Sequence, residues 1–351
     1  MTTSVVEKPA ATTGSPVRPW YLRMRSGLFL AVTLLAVTAF VTTTQFDYNI
    51  FLYNTFLLTC IGALAMNLLM GTSGLVSAGS AGFLAAGAFT AVWFDRMDLP
   101  FVACVLGGGL MAAVLGLIVA LPAIRLRGLA LGLGTISVHF VVVFVVDQYQ
   151  QRTPGVGVIG FNLPPLFGTT VQVQHEWAWL LLGVVVLAIA LVSLLGAGRT
   201  GRALRLIRDQ EQIASTQAIP VTGYKMMIFA ITSFMFGAQG ALTGFLVGQV
   251  SSEQFTLMLA MQYLAMVMVG GLDSVWGAAL GAAIFTALPF AMQHLVAAVL
   301  GAQQASLNGA KYGVIAYAVL VIAFIVGAPG GLVSLVREGA RRVQARRSAK
   351  R

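Results

Sequence analysis

The sequence predicts an all-α, polytopic membrane protein with about ten transmembrane helices. Hydrophobic residues make up 58% of its 351 residues and charged residues only 9%, whereas a soluble domain carries about a quarter charged residues. The apolar runs are continuous and about 20 residues long, which is the length a helix needs to cross ~30 Å of hydrocarbon. They lack the alternation typical of barrel strands. The composition argues against a soluble enzyme, a nucleic-acid-binding protein and a disordered chain.

Ten apolar runs divide the chain into a transmembrane domain, residues 27–331, between two basic tails, residues 1–26 and 332–351. The short run at 257–270 is expected to begin earlier than its first apolar residue. An eight-span arrangement is the alternative, in which two runs enter the membrane and return to the same side. The predicted spans are residues 27–44, 50–70, 74–94, 100–122, 128–146, 177–197, 224–249, 257–270, 276–298 and 313–331.

The positive charges support this count and predict an orientation. With the N-terminus inside, 18 of the 21 Lys and Arg residues fall in segments on the cytoplasmic side, as the positive-inside rule requires. We therefore expect a multi-pass protein of the cell (inner/plasma) membrane with both termini in the cytoplasm. The net charge of +10 then reflects loops that face the cytoplasm, so we expect contact with membrane lipid and no nucleic-acid partner.

The spans lack the chemistry of a self-driven transporter. No Asp, Glu, Lys or Arg lies well inside a predicted span, although ion-coupled carriers use ionisable residues there. His139 is the candidate relay residue, and we interpret it as a structural, hydrogen-bonded histidine. The chain has no phosphate-binding loop and no cluster of catalytic or metal-ligating residues. We expect a non-catalytic protein without cofactor or metal, which is either a channel or a subunit driven by another protein.

Two segments between spans are candidates for partner contacts. In the inner segment 198–223, Arg202, Arg205 and Arg208 recur every three residues while Leu204 and Ile207 share another face. This pattern predicts a short amphipathic helix at the membrane surface. Its arginines either anchor it to anionic lipid or dock a partner. The outer loop 147–176 is the longest connection between spans, and long loops are often functional.

Small residues mark two places where a helix is expected to break. Close helix packing explains most of the 39 glycines. However, Gly71 to Gly82 and Gly270 to Ser274 are rich enough in Gly and Ser to interrupt a helix, and irregular backbone at membrane depth often lines a cavity. Gly74-Leu75-Val76-Ser77 parallels Gly271-Leu272-Asp273-Ser274, although four residues do not establish a repeat. The pathway-lining candidates are Gly74, Ser77, Gly79, Gly82, Gly270, Gly271 and Ser274.

Four stretches carry a family resemblance. Residues 74–89 are similar to a glycine-rich "GLxSxGxAxFxGxGAY" segment, and residues 125–136 to "RLRGxYxAxxTL". Residues 201–241 are similar to "GRALRAIRDNE…YK…AGxAGAL", and residues 268–281 to "MxxxGGxGSxxGPxxGA". In this order they resemble the permease subunits of branched-chain amino acid ABC importers, of the LivM type.

The resemblance implies a type II ABC importer-like permease that carries a small polar solute, most simply branched-chain amino acids. It implies two ABC ATPase subunits, a second, LivH-like permease and an extracytoplasmic substrate-binding protein that docks near loop 147–176. Whether the two permeases are different or identical chains is open. Segment 198–223 would be the coupling element. The residues expected to serve coupling to the ATPase are Arg202, Arg205, Arg208, Asp209, Glu211 and Ala214.

Other function classes stay open at this point. Related permeases handle urea, short amides, aromatic acids and sugars. A stand-alone channel or facilitator also fits the missing ion relay, but it does not explain the charged segment 198–223. A purely structural membrane protein would lack a polar lining, and a secondary transporter would need charge inside the membrane.

Departures from the family pattern give sharper expectations. Ala218 stands where the family favours glycine, Ser215 where it favours glutamate, and Asp273 replaces the last glycine of "GGxGS". The outer "TGGxxG" is replaced by residues 153–157. Because alanine avoids positive φ, we expect the turn at Ala218 to differ. Arg208→Glu or Glu211→Lys should uncouple transport from ATP hydrolysis without unfolding the chain.

Overall fold

The computed structural model describes residues 20–44, 47–123, 129–153, 157–161, 165–166, 169–170, 174–300, 315, 318–319 and 322. This part of the chain is almost entirely helical. The α-helices are α1 Trp20–Thr44, α2 Asp47–Met66, α3 Ser80–Asp95, α4 Phe101–Ala123, α5 Leu129–Arg152, α6 Gln174–Ala197, α7 Arg199–Asp209, α8 Glu211–Thr216, α9 Val221–Val247, α10 Leu257–Gly270 and α11 Val275–Leu300.

The remaining elements are short. A π-helix, Asn67–Thr72, extends α2, and a 3₁₀-helix, Ser252–Gln254, precedes α10. Two antiparallel strand pairs occur among the described residues: β1 with β4, and β2 with β3. The strands are β1 Ile159–Gly160, β2 Pro165–Leu166, β3 Thr169–Thr170 and β4 Gln249–Val250.

Nine of the ten predicted spans coincide with a helix, which confirms the all-α prediction. The tenth, 313–331, lies almost wholly outside the described residues. Within the described part of the chain, six helices are long and apolar enough to cross a membrane. Helices α3 and α10 have 16 and 14 residues, which corresponds to about 24 and 21 Å, less than a full hydrocarbon core. The choice between ten and eight spans stays a prediction.

Two predicted helix starts are corrected. The third span was predicted from residue 74, but α3 begins at Ser80 because the chain between Ser73 and Gly79 is irregular. This break confirms the interruption expected between Gly71 and Gly82. Helix α10 begins at Leu257, so the expectation of an earlier start is wrong. Thr256 caps it, its Oγ1 accepting a hydrogen bond of 3.3 Å from the Leu259 N–H.

Helix α9 packs against both α3 and α4 through glycines. A methyl group on Gly87 of α3 would overlap the backbone carbonyl of Gly237 in α9, and one on Gly240 would overlap the carbonyl of Leu84. Gly108 of α4 in turn lies against Gly87. The small-residue packing expected from the sequence therefore holds at this three-helix contact.

Connections between helices gather at two ends of the bundle. We call the end formed by residues 71–79, 199–220 and 271–274 the basic end. At the opposite end, β1 pairs with β4, and the centroids of the Phe161 and Phe245 rings lie 4.5 Å apart. Ser252 donates there from its hydroxyl to Asp147 Oδ1 at 2.9 Å and from its N–H to Gln150 Oε1 at 2.7 Å. The described part of loop 147–176 is thus attached to the α9–α10 connection.

Candidate coupling site and pathway segments

The predicted amphipathic segment forms two helices, α7 and α8, which meet at Gln210. Leu204 and Ile207 are buried, at 0% and 5% exposure, so the predicted apolar face of α7 is confirmed. Gly201 allows α7 to turn back sharply from α6, because a methyl group there would overlap the Gly196 carbonyl. The segment is held against the bundle as an integral part of this chain.

The three arginines do not share one surface. Residues three apart on an α-helix are offset by about 60°, so the spacing spreads these side chains around α7. Arg202 is exposed. Arg205 donates to the Gly196 carbonyl, and its Nε lies 3.5 Å from Asp273 Oδ2. Arg208 is 32% exposed and donates from Nη1 to the Gly71 carbonyl at 2.5 Å.

Glu211 forms an ion pair within this chain, and Ala214 is buried. Glu211 Oε1 lies 2.8 Å from Lys225 Nζ, and the Lys225 side chain is only 4% exposed. Ala214 is 0% exposed. Contact of these two residues with an ATPase therefore stays a prediction. Glu211→Lys would set two cations against each other at a buried position, so it is unsuitable as a test that leaves the fold intact.

A different set of residues in this segment reaches the surface. Ile213 is a large apolar side chain that is 43% exposed among polar neighbours. It lines a shallow pocket of about 390 Å³ together with Gln210, Glu211 and Gln212. Arg202, Asp209 and Gln212 are exposed as well. Exposed apolar side chains with a polar rim are typical of protein interfaces.

Three of the seven pathway candidates are glycines at close helix contacts within this chain. A Cβ on Gly79 would lie 2.9 Å from the Thr135 carbonyl oxygen, and one on Gly82 would lie 3.0 Å from His139 Cα. These glycines therefore let α3 approach α5. Gly270 plays the same part between α10 and Gly277 of α11.

The other candidates differ in exposure. Ser77 is 1% exposed and Gly271 is buried. Gly74 is exposed, and Ser274 is half-buried. Ser274 Oγ accepts a hydrogen bond of 3.2 Å from the Gly277 N–H at the start of α11. The accessible candidates are thus Gly74 and Ser274.

The two helix breaks, at residues 71–79 and 271–274, meet at the basic end. Asn67 Oδ1 accepts a hydrogen bond of 2.9 Å from the Asp273 N–H, and the Thr72 hydroxyl donates to Asp273 Oδ1 at 3.3 Å. The backbone leaves the usual range at Gly74, φ +72°, and at Gly271, φ +114°. The Gly and Ser content of the two segments predicted both breaks but not their contact.

Sequence reasoning did not assign this contact to Asn67, Thr72 and Asp273. It also missed Lys225, which pairs with Glu211. The available signal was a polar side chain at the end of an apolar span, because a buried amide or cation needs a partner. Which partner it finds is not encoded locally, since Asn67 and Asp273 are 206 positions apart.

Two further expectations are corrected. Ala218, in the α8–α9 turn, adopts φ +56°, the left-handed conformation that alanine was expected to avoid. Asp273, which also replaces a glycine of the family pattern, adopts φ +59°. His139 is buried at 2% exposure, but within the described part of the chain its Nδ1 has no hydrogen-bond partner. Among the described residues, no group of three His, Cys, Asp or Glu side chains could hold a metal.

Comparison with known proteins identifies the family. A family model for "Branched-chain amino acid transport system / permease component" matches residues 48–324. The chain is 29% identical over 244 residues to the high-affinity branched-chain amino acid transport system permease protein LivM of Escherichia coli (strain K12), covering 62% of this chain and 57% of that protein. No solved structure matches the chain.

A second curated relative gives the same result. The permease protein LivM of Salmonella typhimurium (strain LT2) is 28% identical over 246 residues, which cover 63% of this chain and 58% of that protein. The chain thus spans less than two thirds of the length of the curated relatives it matches. The family match covers well over half of the chain and includes both helix breaks, α7 and α8. The chain belongs to the family of branched-chain amino acid transport permease components.

Proposed function

We propose that this chain is a transmembrane permease subunit of an ATP-binding-cassette importer for branched-chain amino acids, driven by separate ATPase subunits. Family membership and the two LivM relatives support the transport class and the solute. The observation that carries the coupling part is the arrangement of α7 and α8. These helices bond to the transmembrane segments on one side and leave Ile213 and its polar neighbours exposed on the other.

The exposed side of this unit is the proposed docking surface for an ATPase. Arg202, Asp209, Gln212 and Ile213 would contact the partner, while Arg205, Arg208, Glu211 and Ala214 hold the surface on the permease. ATP hydrolysis takes place on the partner chains, and this chain contributes no catalytic residue. Closure of two ATPases would move α7 and α8. Because the closed ATPases would bind one state of the permease better than the other, their closure would shift the permease between outward and inward access.

The remaining partners follow from the same proposal. A second, LivH-like permease completes the pathway beside Gly74 and Ser274. A substrate-binding protein delivers the solute at the opposite end, where β1 and β4 pair. The basic end then faces the cytoplasm, in keeping with the charge distribution of the sequence.

A docking experiment tests the proposal. Ile213→Asp places a charge within the exposed surface, and Val158→Asp makes the same kind of change at a side chain that is 41% exposed next to β1, at the opposite end of the bundle. Tagged wild-type, Ile213→Asp and Val158→Asp chains are purified gently from membranes, and co-purifying ATPase is quantified by mass spectrometry. We expect wild-type and Val158→Asp to retain ATPase, and Ile213→Asp to lose most of it. A wild-type chain that recovers no ATPase, or equal recovery with Ile213→Asp, would contradict the docking surface.

A further inference from the structure

Asp273 combines a left-handed backbone conformation with a dense set of polar contacts. Its φ of +59° lies in the left-handed region, which non-glycine residues occupy mainly where the surroundings hold them there. Its N–H donates to Asn67 Oδ1 at 2.9 Å, and its Oδ1 accepts from the Thr72 hydroxyl at 3.3 Å. Both the backbone N–H and the side-chain carboxylate of Asp273, in the α10–α11 break, thus bond to the π-helix that follows α2.

The same carboxylate also reaches the coupling unit. Asp273 Oδ2 lies 3.5 Å from Arg205 Nε, with side-chain exposures of 21% and 14%. A charge pair with so little contact with water is weakly screened by salt. Asp273 therefore joins three elements that are far apart in sequence: α7, the π-helix and the α10–α11 break.

One turn further along α7, Arg208 holds the other break. Its Nη1 donates to the Gly71 carbonyl at 2.5 Å. A methyl group on Gly74 would overlap Arg208 Cγ, so the aliphatic part of Arg208 rests directly on this glycine. Helix α7 thereby contacts both segments in which a transmembrane helix is interrupted.

The polar contacts of Arg205 and Arg208 differ from the apolar contacts that also hold α7 on the bundle. Leu204 and Ile207 are buried apolar side chains, and apolar contacts are non-directional. The contacts of Arg205 and Arg208 fix particular atoms to each other, so a movement of α7 must displace residues 71–74 and Asp273 with it. Interrupted helices are the places where such a displacement can change backbone dihedrals with the least disturbance to the packed helices.

We infer that Asp273 is a positioning residue for coupling: with Arg205, and beside the Arg208–Gly71 contact, it transmits movement of α7 to the two helix breaks at the basic end. The inference rests on the proposed function and deepens it, because it names the residues inside the permease that receive the movement.

Asp273→Gly tests the inference. Glycine adopts φ +59° freely, so the variant removes the carboxylate and relieves the backbone. Asp98→Gly is the matched control: Asp98 has φ +56°, is exposed and lies at the opposite end of the bundle. In the full importer complex in proteoliposomes, we expect Asp273→Gly to lower the solute carried per ATP hydrolysed by roughly fivefold or more. Asp98→Gly should keep the wild-type ratio.

Two additional variants address folding and specificity. Asp273→Asn preserves side-chain shape and replaces Asp273→Gly if the latter fails to assemble. In the charge-exchanged pair, Arg205→Asp with Asp273→Arg, we expect the ratio to recover relative to either single exchange, because the exchange restores opposite charges at two interacting positions. A wild-type ratio in both Asp273→Gly and Asp273→Asn would overturn the inference.

Hydrogen exchange separates failure of the inference from failure of the proposed function. In the purified chain, Asp273→Gly should increase amide exchange in residues 71–79, and Asp98→Gly should leave it unchanged. Unchanged exchange in Asp273→Gly would overturn the link itself. A wild-type complex that hydrolyses ATP without carrying solute would refute the proposed function, while the exchange result would still decide whether Asp273 holds the helix breaks.

Discussion

At the scale of single residues, the Glu211–Lys225 pair holds α8 on α9. Lys225 Nζ lies 2.8 Å from Glu211 Oε1, and the two side chains are 4% and 24% exposed. Removing one member of a buried pair leaves an uncompensated charge. Glu211→Gln should therefore lower the free energy of unfolding by about 1–3 kcal/mol, less than for a fully buried pair because Glu211 retains contact with water. Thermal unfolding in detergent measures the change.

An exposed carboxylate nearby provides the control. Asp209 is 61% exposed and lies 2.9 Å from Arg208 Nε, and exposed pairs of this kind contribute little. Asp209→Asn should leave the unfolding temperature nearly unchanged. Combining Glu211→Gln with Lys225→Met should recover much of the lost stability, because neither charge then remains buried. Equal effects of Glu211→Gln and Asp209→Asn would contradict the assignment of a structural pair.

The left-handed turn at Ala218 makes a second residue-scale prediction. Its φ of +56° costs an L-residue about 1–2 kcal/mol. Glycine avoids this cost in the folded chain, but it loses part of the gain because its unfolded chain has more conformational freedom. Ala218→Gly should raise the free energy of unfolding by roughly 0.5 kcal/mol. Ser215→Gly, inside α8, should lower it by about 0.5–1 kcal/mol. Thermal unfolding of the two variants should thus shift in opposite directions, and a shared direction would contradict the turn geometry.

At the scale of elements, the α3–α4–α9 contact depends on the absence of side chains. A methyl group on Gly87 would overlap the Gly237 carbonyl, whereas one on Gly183 of α6 would meet nothing within 4 Å. Gly87→Ala should lower stability by about 1–3 kcal/mol because backbone must move, and Gly183→Ala should be neutral or stabilising by up to ~1 kcal/mol. Unfolding temperature and the monodisperse yield in detergent distinguish them. A Gly87→Ala variant as stable as Gly183→Ala would contradict the close packing.

Helix positions were predictable from the sequence, but their interruptions and contacts were only partly so. Apolar runs place both ends of α4 within one residue and both ends of α6 within three, because hydropathy reports membrane burial directly. Hydropathy does not show whether the backbone of an apolar run is helical. The apolar run therefore predicted a start of α3 six positions before Ser80. The exposure of Ile213, the burial of Ala214 and the Arg208–Gly71 contact depend on how distant segments pack, and no local pattern specifies them.

At the scale of the whole molecule, the positive charges predict which end faces the cytoplasm. The native Cys60 and Cys104 are both 0% exposed and should not react in the folded protein. A cysteine introduced at exposed Gln212 of the basic end should resist an impermeant maleimide in intact cells. A cysteine at exposed Gln254 of the opposite end should react. Labelling of the Gln212→Cys variant and protection of Gln254→Cys would invert the orientation.

ATP-driven solute uptake tests the central claim most directly. The chain is reconstituted in proteoliposomes with the permease and ATPases that co-purify with it, and radiolabelled leucine is added with the co-purifying binding protein. We predict leucine accumulation that requires ATP, stops with a non-hydrolysable analogue, and falls with Ile213→Asp. Leucine flux that runs to equilibrium without ATP in liposomes containing this chain alone would instead establish a facilitator and contradict the account.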